Sequence, residues 1–187
     1  REGQRGLLMY FSKFPLMVYD IKGNSNYTLL PDILRRVKVR AGLASSRLVF
    51  DKYNVKEGEK PEDVAFKYYG DAEYHWVIMM INNITDRYYG WPMTQADFAD
   101  FLTDKYGAGS EDSVHHYELA QTSGATTSID NSHMLEVNSD TDGATAITNR
   151  EYEERVQDDL RQIRLLDEKY LTSFTEEFFA LIRKNKF

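Results

Sequence analysis

The sequence predicts an α+β protein, and three patterns indicate it. A strand-like Tyr53-Asn54-Val55 is followed by two short segments with helical spacing of their apolar residues. Residues 114–119 and 133–137 alternate imperfectly between apolar and polar side chains, as strands do. From Tyr152 to Leu181, apolar residues recur at close to the 3.6-residue period, which predicts a long C-terminal helical region.

The first segment, residues 1–52, is expected to be an extended, basic docking segment. Met9 to Tyr19 is apolar and aromatic and contains a proline, which favours extended chain over helix. A turn is predicted at Gly23 to Asn26. Pro31 and the residues after it allow a short helix, although Val37 to Val39 could instead continue as a strand.

The second segment, residues 53–107, is expected to hold a small core and one further helix. Pro61 begins a helix that Gly70 ends, because proline fits a first turn and glycine adopts the left-handed conformation of a helix C-cap. Asp71 can cap a second helix, which stops at Asn82-Asn83. Thr94 then caps a helix whose apolar face is formed by Phe98, Phe101, Leu102 and Tyr106.

The third segment, residues 108–148, is a polar insertion rich in Ser, Thr, Asn, Asp and Gly. Its two strand-like runs predict a β-hairpin arm that projects from the body of the protein. The composition alone also fits a disordered insertion, and the sequence leaves that alternative open.

The fourth segment, residues 149–187, is the C-terminal helical segment. Thr148 and Glu151 form a capping box at its start, and Ser173 with Glu176 offers a second one, so a break is predicted near Thr172. Its end, residues 178–182, is strongly apolar. We therefore expect this end to be buried, either in this chain or against a partner.

Composition excludes several classes of protein. The 187 residues contain no cysteine, which excludes disulfides, thiolate zinc sites and a cysteine nucleophile. The net charge of −7 argues against a mainly nucleic-acid-binding role. It divides into +6 over residues 1–52, −12 over 53–148 and −1 over 149–187. The basic segment either meets a partner or folds against the acidic middle of its own chain, and the sequence does not separate these readings.

Catalytic, metal and cofactor sites are not predicted. Histidines His115 and His116 are adjacent and would point to opposite faces of a strand, so only a hairpin that brings His133 close would suggest a metal. The 30 acidic residues show no recognisable glycosidase pair, and neither a phosphate loop nor a nucleophile elbow occurs. We therefore predict a protein that is not an enzyme. The longest strictly apolar run, Trp76 to Ile81, is far shorter than a membrane-spanning helix.

Residues 53–84 carry a pattern that resembles a LysM module: Tyr-x-Val-x-x-Gly-Glu, then Val-Ala-x-x-Tyr-Tyr-Gly, a Trp, and Ile-Asn-Asn-Ile. The resemblance implies a βααβ core, although the chain after Ile84 lacks the usual glycine turn and second strand. The matching residues are Tyr53, Val55, Gly58, Val64, Ala65, Tyr68, Tyr69, Gly70, Trp76, Ile81, Asn82, Asn83 and Ile84.

Outside residues 108–148, the order of motifs is similar to that of the baseplate wedge subunits of T-even-like contractile-tail bacteriophages, which contain a LysM-like segment. The motifs are residues 9–15, residues 32–37, the LysM-like segment, residues 82–93 and the closing runs 149–153 and 161–166. The resemblance implies a structural virion protein, assembled in the host cytoplasm, that joins neighbouring wedge proteins. Its implied partners are other wedge proteins of the same virion and copies of itself in adjacent wedges, with no nucleic acid, membrane or cofactor.

The interface residues expected from this resemblance are aromatic, basic or apolar. They are Tyr10, Phe11, Phe14, Pro15, Arg35, Arg36, Arg40, Phe178, Phe179 and Ile182. An alternative hypothesis is a LysM-type protein that binds peptidoglycan or chitin by stacking sugar rings on its aromatic residues. We favour packing of Tyr68 and Trp76 in the core over that alternative.

Overall fold

The structure, a computed structural model, describes residues 10–39, 49–121 and 133–184. Within these ranges the chain forms five α-helices and seven β-strands, which confirms the α+β class. The chain divides into two compact units: unit 1 comprises residues 1–87 and 162–187, and unit 2 comprises residues 88–161. These units differ from the four segments drawn from composition, and the four segments stay a prediction about organisation. No helix in the described ranges has the length and apolar character needed to span a bilayer.

The first described elements of unit 1 are a short 3-10 helix, Tyr10–Lys13, and a two-stranded antiparallel hairpin. Its strands are β1, Leu16–Tyr19, and β2, Thr28–Pro31, and the predicted turn lies between them. The short helix predicted after Pro31 is wrong, and residues 35–39 form no strand. Pro31 instead ends β2 opposite Leu16, and its carbonyl accepts a hydrogen bond from Ile33 N at 2.9 Å.

The next elements follow the predicted pattern closely. They are β3, Phe50–Asn54, α1, Pro61–Tyr69, and α2, His75–Ile81, with a short 3-10 helix at Ala72–Tyr74. The Asp63 carboxylate accepts from Lys60 N at the start of α1, and Gly70 ends that helix with a φ of 77°. Asp71 accepts from Glu73 N at 2.9 Å, so it caps the 3-10 helix rather than α2 itself.

Unit 2 contains the predicted helix and hairpin, together with one strand that the sequence pattern did not reveal. Helix α3 is Gln95–Tyr106, and the sheet consists of β4, Val114–Ala120, β5, Met134–Val137, and β6, Thr145–Thr148, in the order β5-β4-β6. Strand β6 directly precedes α4, Asn149–Arg161, so the polar insertion returns to the body of unit 2 as a third strand.

Both predicted caps in unit 2 are present. Thr94 Oγ1 accepts from Asp97 N at 3.2 Å and caps α3, whose buried face carries Phe98 and Leu102. At the start of α4, Thr148 N donates to the Glu151 carboxylate at 2.9 Å, and Glu151 N donates back to Thr148 Oγ1 at 3.2 Å. This reciprocal pair is the capping box expected from the sequence.

The C-terminal helical region is interrupted by a strand, which corrects the sequence prediction. Strand β7, Gln162–Leu166, separates α4 from α5, Glu168–Lys184. The predicted break near Thr172 and the second capping box at Ser173 are wrong, because α5 runs through both positions. Ile163 and Leu165 are buried while Gln162 and Arg164 are exposed, which is the alternation of a strand. The sequence prediction missed it because Ile163 and Leu166 also fit the 3.6-residue period of a helix.

Strand β7 pairs antiparallel with β3, from Phe50 opposite Leu166 to Asn54 opposite Gln162. The order within unit 1 is therefore strand, helix, helix, strand, with unit 2 inserted in the sequence between α2 and β7. The Tyr69 hydroxyl donates to Leu166 O at 3.1 Å, which ties α1 to the closing strand.

Asn82, at the end of α2, fastens β7 by its side chain. Its amide donates to Arg164 O at 2.8 Å and to Ile78 O at 2.9 Å, while its carbonyl oxygen accepts from Arg164 N at 2.8 Å. The side chain thus imitates a neighbouring strand for Arg164 and closes the last turn of α2 at the same time.

We expect Asn82→Ala to lower the free energy of unfolding of unit 1 by about 1–3 kcal/mol, because three hydrogen bonds are lost together. Asn82→Asp should cost more, since a carboxylate oxygen would face two carbonyl oxygens. Urea denaturation monitored by circular dichroism measures the free energy of unfolding of both variants. Equal stability of Asn82→Ala and the wild type would contradict the role given to this side chain.

Candidate protein-protein interface

Most of the aromatic residues predicted for the interface meet in one cluster of unit 1. Phe14, Phe178 and Ile182 are buried, at 7%, 3% and 1% exposure. Around them lie the partly buried side chains of Tyr10, Val37, Trp76, Met80 and Phe179. The N-terminal segment and the end of α5 therefore bury each other, and the apolar end of the chain is covered by its own residues.

Ring geometry shows how closely this aromatic cluster is packed. The ring centroids of Trp76 and Phe178 are 4.6 Å apart, and those of Tyr10 and Trp76 are 5.1 Å apart. Tyr10 also meets Phe14 edge-on at 5.0 Å. Such aromatic pairs add about 0.5–1.5 kcal/mol each beyond the area that they bury.

The predicted basic residues have different roles. Arg35 is partly buried, with Nε donating to the Asp32 carboxylate at 2.7 Å and Nη1 donating to Ile182 O at 2.7 Å. It therefore places a positive charge at the C-terminal end of α5, where the helix dipole favours one. Arg36 is exposed. Arg40 lies outside the described residues, and Pro15 is partly buried beside β1.

An open groove of about 680 Å³ lies beside the aromatic cluster within unit 1. Its walls are mostly apolar and include Phe11, Val37, Met79 and Ile84, with Lys38 and Glu73 as charged members. Phe11 is 48% exposed there. Just after β2, Ile33 and Leu34 are also exposed, at 63% and 73%. Two exposed cations, Arg36 and Lys38, follow them in the sequence, and Lys38 lines the groove.

Several residues of the LysM-like pattern form the core around β3, α1 and α2. Val55, Val64, Ala65, Tyr69 and Ile81 are all buried, at 8% exposure or less. The turn and cap positions Gly58, Gly70 and Asn83 have positive φ angles of 74°, 77° and 55°.

The other residues of the pattern make specific hydrogen bonds. The Tyr53 hydroxyl donates to the Glu59 carboxylate at 2.9 Å, and Lys67 Nζ lies 2.9 Å from the same carboxylate. The Tyr68 hydroxyl donates to the Asp51 carboxylate. This contact and burial both raise the pKa of Tyr68, and burial has the larger effect. Ile84 N donates to Met79 O at 2.8 Å.

The ring of Trp76 is largely occupied by contacts within unit 1. It packs against the rings of Tyr10, Phe174, Phe178 and Phe179 of the same chain, at centroid distances of 4.6 to 6.4 Å. Trp76 is partly buried, and its remaining accessible surface lines the open groove. Trp76 is thus packed as the sequence analysis favoured, but against the N-terminal segment and α5 instead of within the LysM-like core.

The histidines of unit 2 do not form a metal site within the described residues. His133 O accepts from Gln121 N at 2.9 Å, so the hairpin register places His133 opposite Gln121. His116 is five residues away from Gln121 along β4, roughly 16 Å at strand spacing. The idea that the hairpin brings His133 to His115 or His116 is therefore wrong.

His116 instead belongs to an ion-pair group that sequence reasoning missed. His116 Nε2 lies 2.9 Å from Glu118, and Arg155 Nη1 donates to both oxygens of the same carboxylate at 2.7 and 2.9 Å. The Arg155 guanidinium, with His116 in addition, holds the pKa of Glu118 below its ordinary value. No sequence motif links Glu118 to Arg155, because their pairing depends on the return of α4 beside β4.

Because the folded-state pKa of Glu118 is lowered, its contribution to stability is present above the unfolded-state pKa of about 4.3. That contribution is lost as the pH falls through the folded-state pKa. We expect Glu118→Gln to flatten the acid limb of the unfolding free energy between about pH 5 and pH 3. Chemical denaturation at several pH values measures this, with exposed Glu154→Gln as the control. An unchanged acid limb in Glu118→Gln would contradict the pairing.

Comparisons with known proteins place these features in a family. The family model described as "Base plate wedge protein 53" matches residues 7–126. The curated "Baseplate wedge protein gp53" of Enterobacteria phage T4 is 33% identical over 114 residues, which covers 58% of this chain and 57% of that protein. The chain thus spans little more than half the length of this relative. The matched range includes the N-terminal hairpin, β3, α1, α2, α3 and β4, and it ends before β7 and α5.

Proposed function

The chain belongs to the base plate wedge protein 53 family, and from this membership we propose that it is a structural subunit of a phage tail baseplate. It joins neighbouring wedge proteins of the same virion by protein-protein contacts. The observation that carries the proposal is the family match over residues 7–126, which is supported by the identity to the T4 wedge protein. The action is binding, and no catalytic step is proposed.

The contact surface that we propose lies on unit 1, beside the open groove. It consists of Phe11, Ile33, Leu34, Arg36 and Lys38, which are exposed. A surface that combines apolar side chains with cations favours a partner surface with apolar and acidic residues. Phe14, Phe178 and Ile182 are buried in the aromatic cluster, and their direct contact with a partner stays a prediction.

We propose further that β3, α1, α2 and β7 form a LysM-like module that serves protein docking instead of glycan binding. The order strand, helix, helix, strand and the antiparallel β3–β7 pair support it. The packing of Trp76 among aromatic rings supports the docking use. A pull-down on purified peptidoglycan should therefore recover none of the chain, and saturable binding that Trp76→Ala removes would contradict this part of the proposal.

Reconstitution tests the wedge role directly. Mixing the purified chain with the other wedge proteins of its own phage should give complexes that contain the chain on a density gradient. The double variant Leu34→Asp, Arg36→Glu should remain at the top of the gradient. The matched control is Lys52→Glu, a charge reversal of an exposed lysine on β3. A wild-type chain that stays free of every assembled wedge would overturn the proposal.

A further inference from the structure

The N-terminal hairpin of unit 1 exposes several large apolar side chains. Leu16 and Val18 of β1 are 65% and 62% exposed, and Leu29 of β2 is 63% exposed. Val18 lies directly opposite Leu29, so these side chains share one face. A two-stranded hairpin is marginal by itself in water, and an exposed apolar strand edge is a template for pairing with another chain.

The backbone of β1 leaves one side unpaired among the described residues. Asp32 N donates to Pro15 O at 2.8 Å, so these two residues form a hydrogen-bonded pair. Hydrogen-bonded and non-hydrogen-bonded pairs alternate in an antiparallel ladder. Met17 and Tyr19 therefore bond to β2, while the N–H and C=O groups of Leu16 and Val18 point away from it.

The outer edge of β2 is closed by its sequence. Its outward positions are Leu29 and Pro31, from the same alternation. Pro31 has no N–H group, and its carbonyl already accepts from Ile33 N at 2.9 Å. Proline on an edge strand is a device that prevents further pairing. Each hairpin therefore offers one open edge, β1, so pairing between two copies closes at a dimer and does not propagate.

We propose that the β1 edge pairs antiparallel with β1 of a second copy of this chain, with Met17 opposite Met17 of that copy. In this register Leu16 of each copy faces Val18 of the other, and these are the residues whose backbone groups point outward. The four residues Leu-Met-Val-Tyr carry no charge, so no like charges oppose each other. Lys13 precedes the strand and Asp20 follows it, so the antiparallel arrangement brings ends of opposite charge together.

This inference rests on the strand edge and is independent of the proposed wedge contacts. The first test is light scattering of the purified full chain at about 0.1 mM, where a micromolar contact is nearly saturated. We expect a dimer. Val18→Pro removes the outward N–H of β1 without touching a bond to β2. It should weaken dimerisation roughly 10–30-fold, because the substitution is present in both copies and therefore removes two hydrogen bonds between them.

The matched control is Leu29→Pro, which alters the opposite residue on the closed edge and should leave the dimer within about twofold of wild type. Unchanged circular dichroism of both variants shows that the fold is retained. A wild-type chain that is monomeric at this concentration, or equal weakening by both variants, would overturn the proposal.

A cross-link tests the register itself, since the chain contains no cysteine of its own. Met17→Cys should form a disulfide-linked dimer on mild oxidation. The Cα atoms of facing residues in a non-hydrogen-bonded pair lie at a separation that a disulfide can bridge. Leu30→Cys, on the other strand of the hairpin, should remain unlinked. Equal linking of the two variants would exclude this register. If the wild-type chain forms the dimer but does not enter wedge complexes, that result counts against the proposed function alone.

Discussion

Removal of residues 162–187 is expected to abolish the cooperative unfolding of unit 1 and to leave unit 2 with a transition of its own. The deletion takes away β7, the partner of β3, and α5. The buried side chains lost are Ile163, Leu165, Leu166, Leu171, Phe178 and Ile182. Burial of each is worth about 1.5–3 kcal/mol, so the joint loss is comparable with the roughly 5–15 kcal/mol that stabilises a whole domain.

Limited proteolysis and thermal unfolding measure this outcome. Cleavage should become fast within residues 49–87, while residues 88–121 and 133–161 remain protected, because the described part of unit 2 retains all three strands of its sheet and both helices α3 and α4. The complementary variant replaces residues 88–161 with a short glycine-serine linker. Unit 1 should survive in it, since Asn82 already lies within hydrogen-bond distance of Arg164. A truncated chain in which residues 49–87 resist protease as well as in the full chain would contradict the role of β7.

Phe178→Ala should lower the free energy of unfolding of unit 1 by about 3–5 kcal/mol, the cost of a large cavity in a packed core. Phe178 is 3% exposed and contacts the rings of Tyr10, Trp76 and Phe179. Its loss would therefore loosen the N-terminal segment as well as α5.

The control for this substitution is Leu181→Ala, on the same helix but 37% exposed. It should cost well under half as much, because its side chain is only partly removed from water. Urea denaturation with the emission of the two tryptophans as the probe compares the variants. Similar losses from the two substitutions would mean that the cluster is not the core of this unit.

The helices of both units were predictable because their signals are local. Pro61 and Gly70 delimit α1 by backbone chemistry, and Thr94 and the Thr148–Glu151 pair cap their helices by contacts over three residues. Such rules act within a single turn, so they hold whatever the rest of the chain does.

The strands were harder because their partners are distant in the sequence. Strand β7 pairs with β3 across more than a hundred residues, and its Ile163 and Leu166 also satisfy a helical count, so the periodicity concealed it. Strand β6 is short and rich in threonine and alanine, and it forms a strand because it pairs with β4. In both cases tertiary pairing decided what the local pattern left ambiguous.

The candidate interface stays a prediction. The sequence predicted that residues 178–182 are buried in this chain or against a partner, but it could not show that the N-terminal aromatic residues cover them. Arg35 illustrates the same limit. Its charge suggested a partner, whereas its guanidinium donates to the Asp32 carboxylate and to Ile182 O in the last turn of α5.

The insertion of unit 2 between α2 and β7 also sets an order of events during synthesis. Residues 88–161 are continuous, so the ribosome delivers all of unit 2 before it delivers β7. At about 5–20 residues per second, unit 2 is complete about 1–5 s before α5 is. Throughout that interval β3 lacks its partner and the aromatic rings of the N-terminal segment lack α5. The nascent chain therefore carries an incomplete apolar core in unit 1 until β7 and α5 have emerged from the ribosome, so their synthesis is the step that commits this unit to its fold.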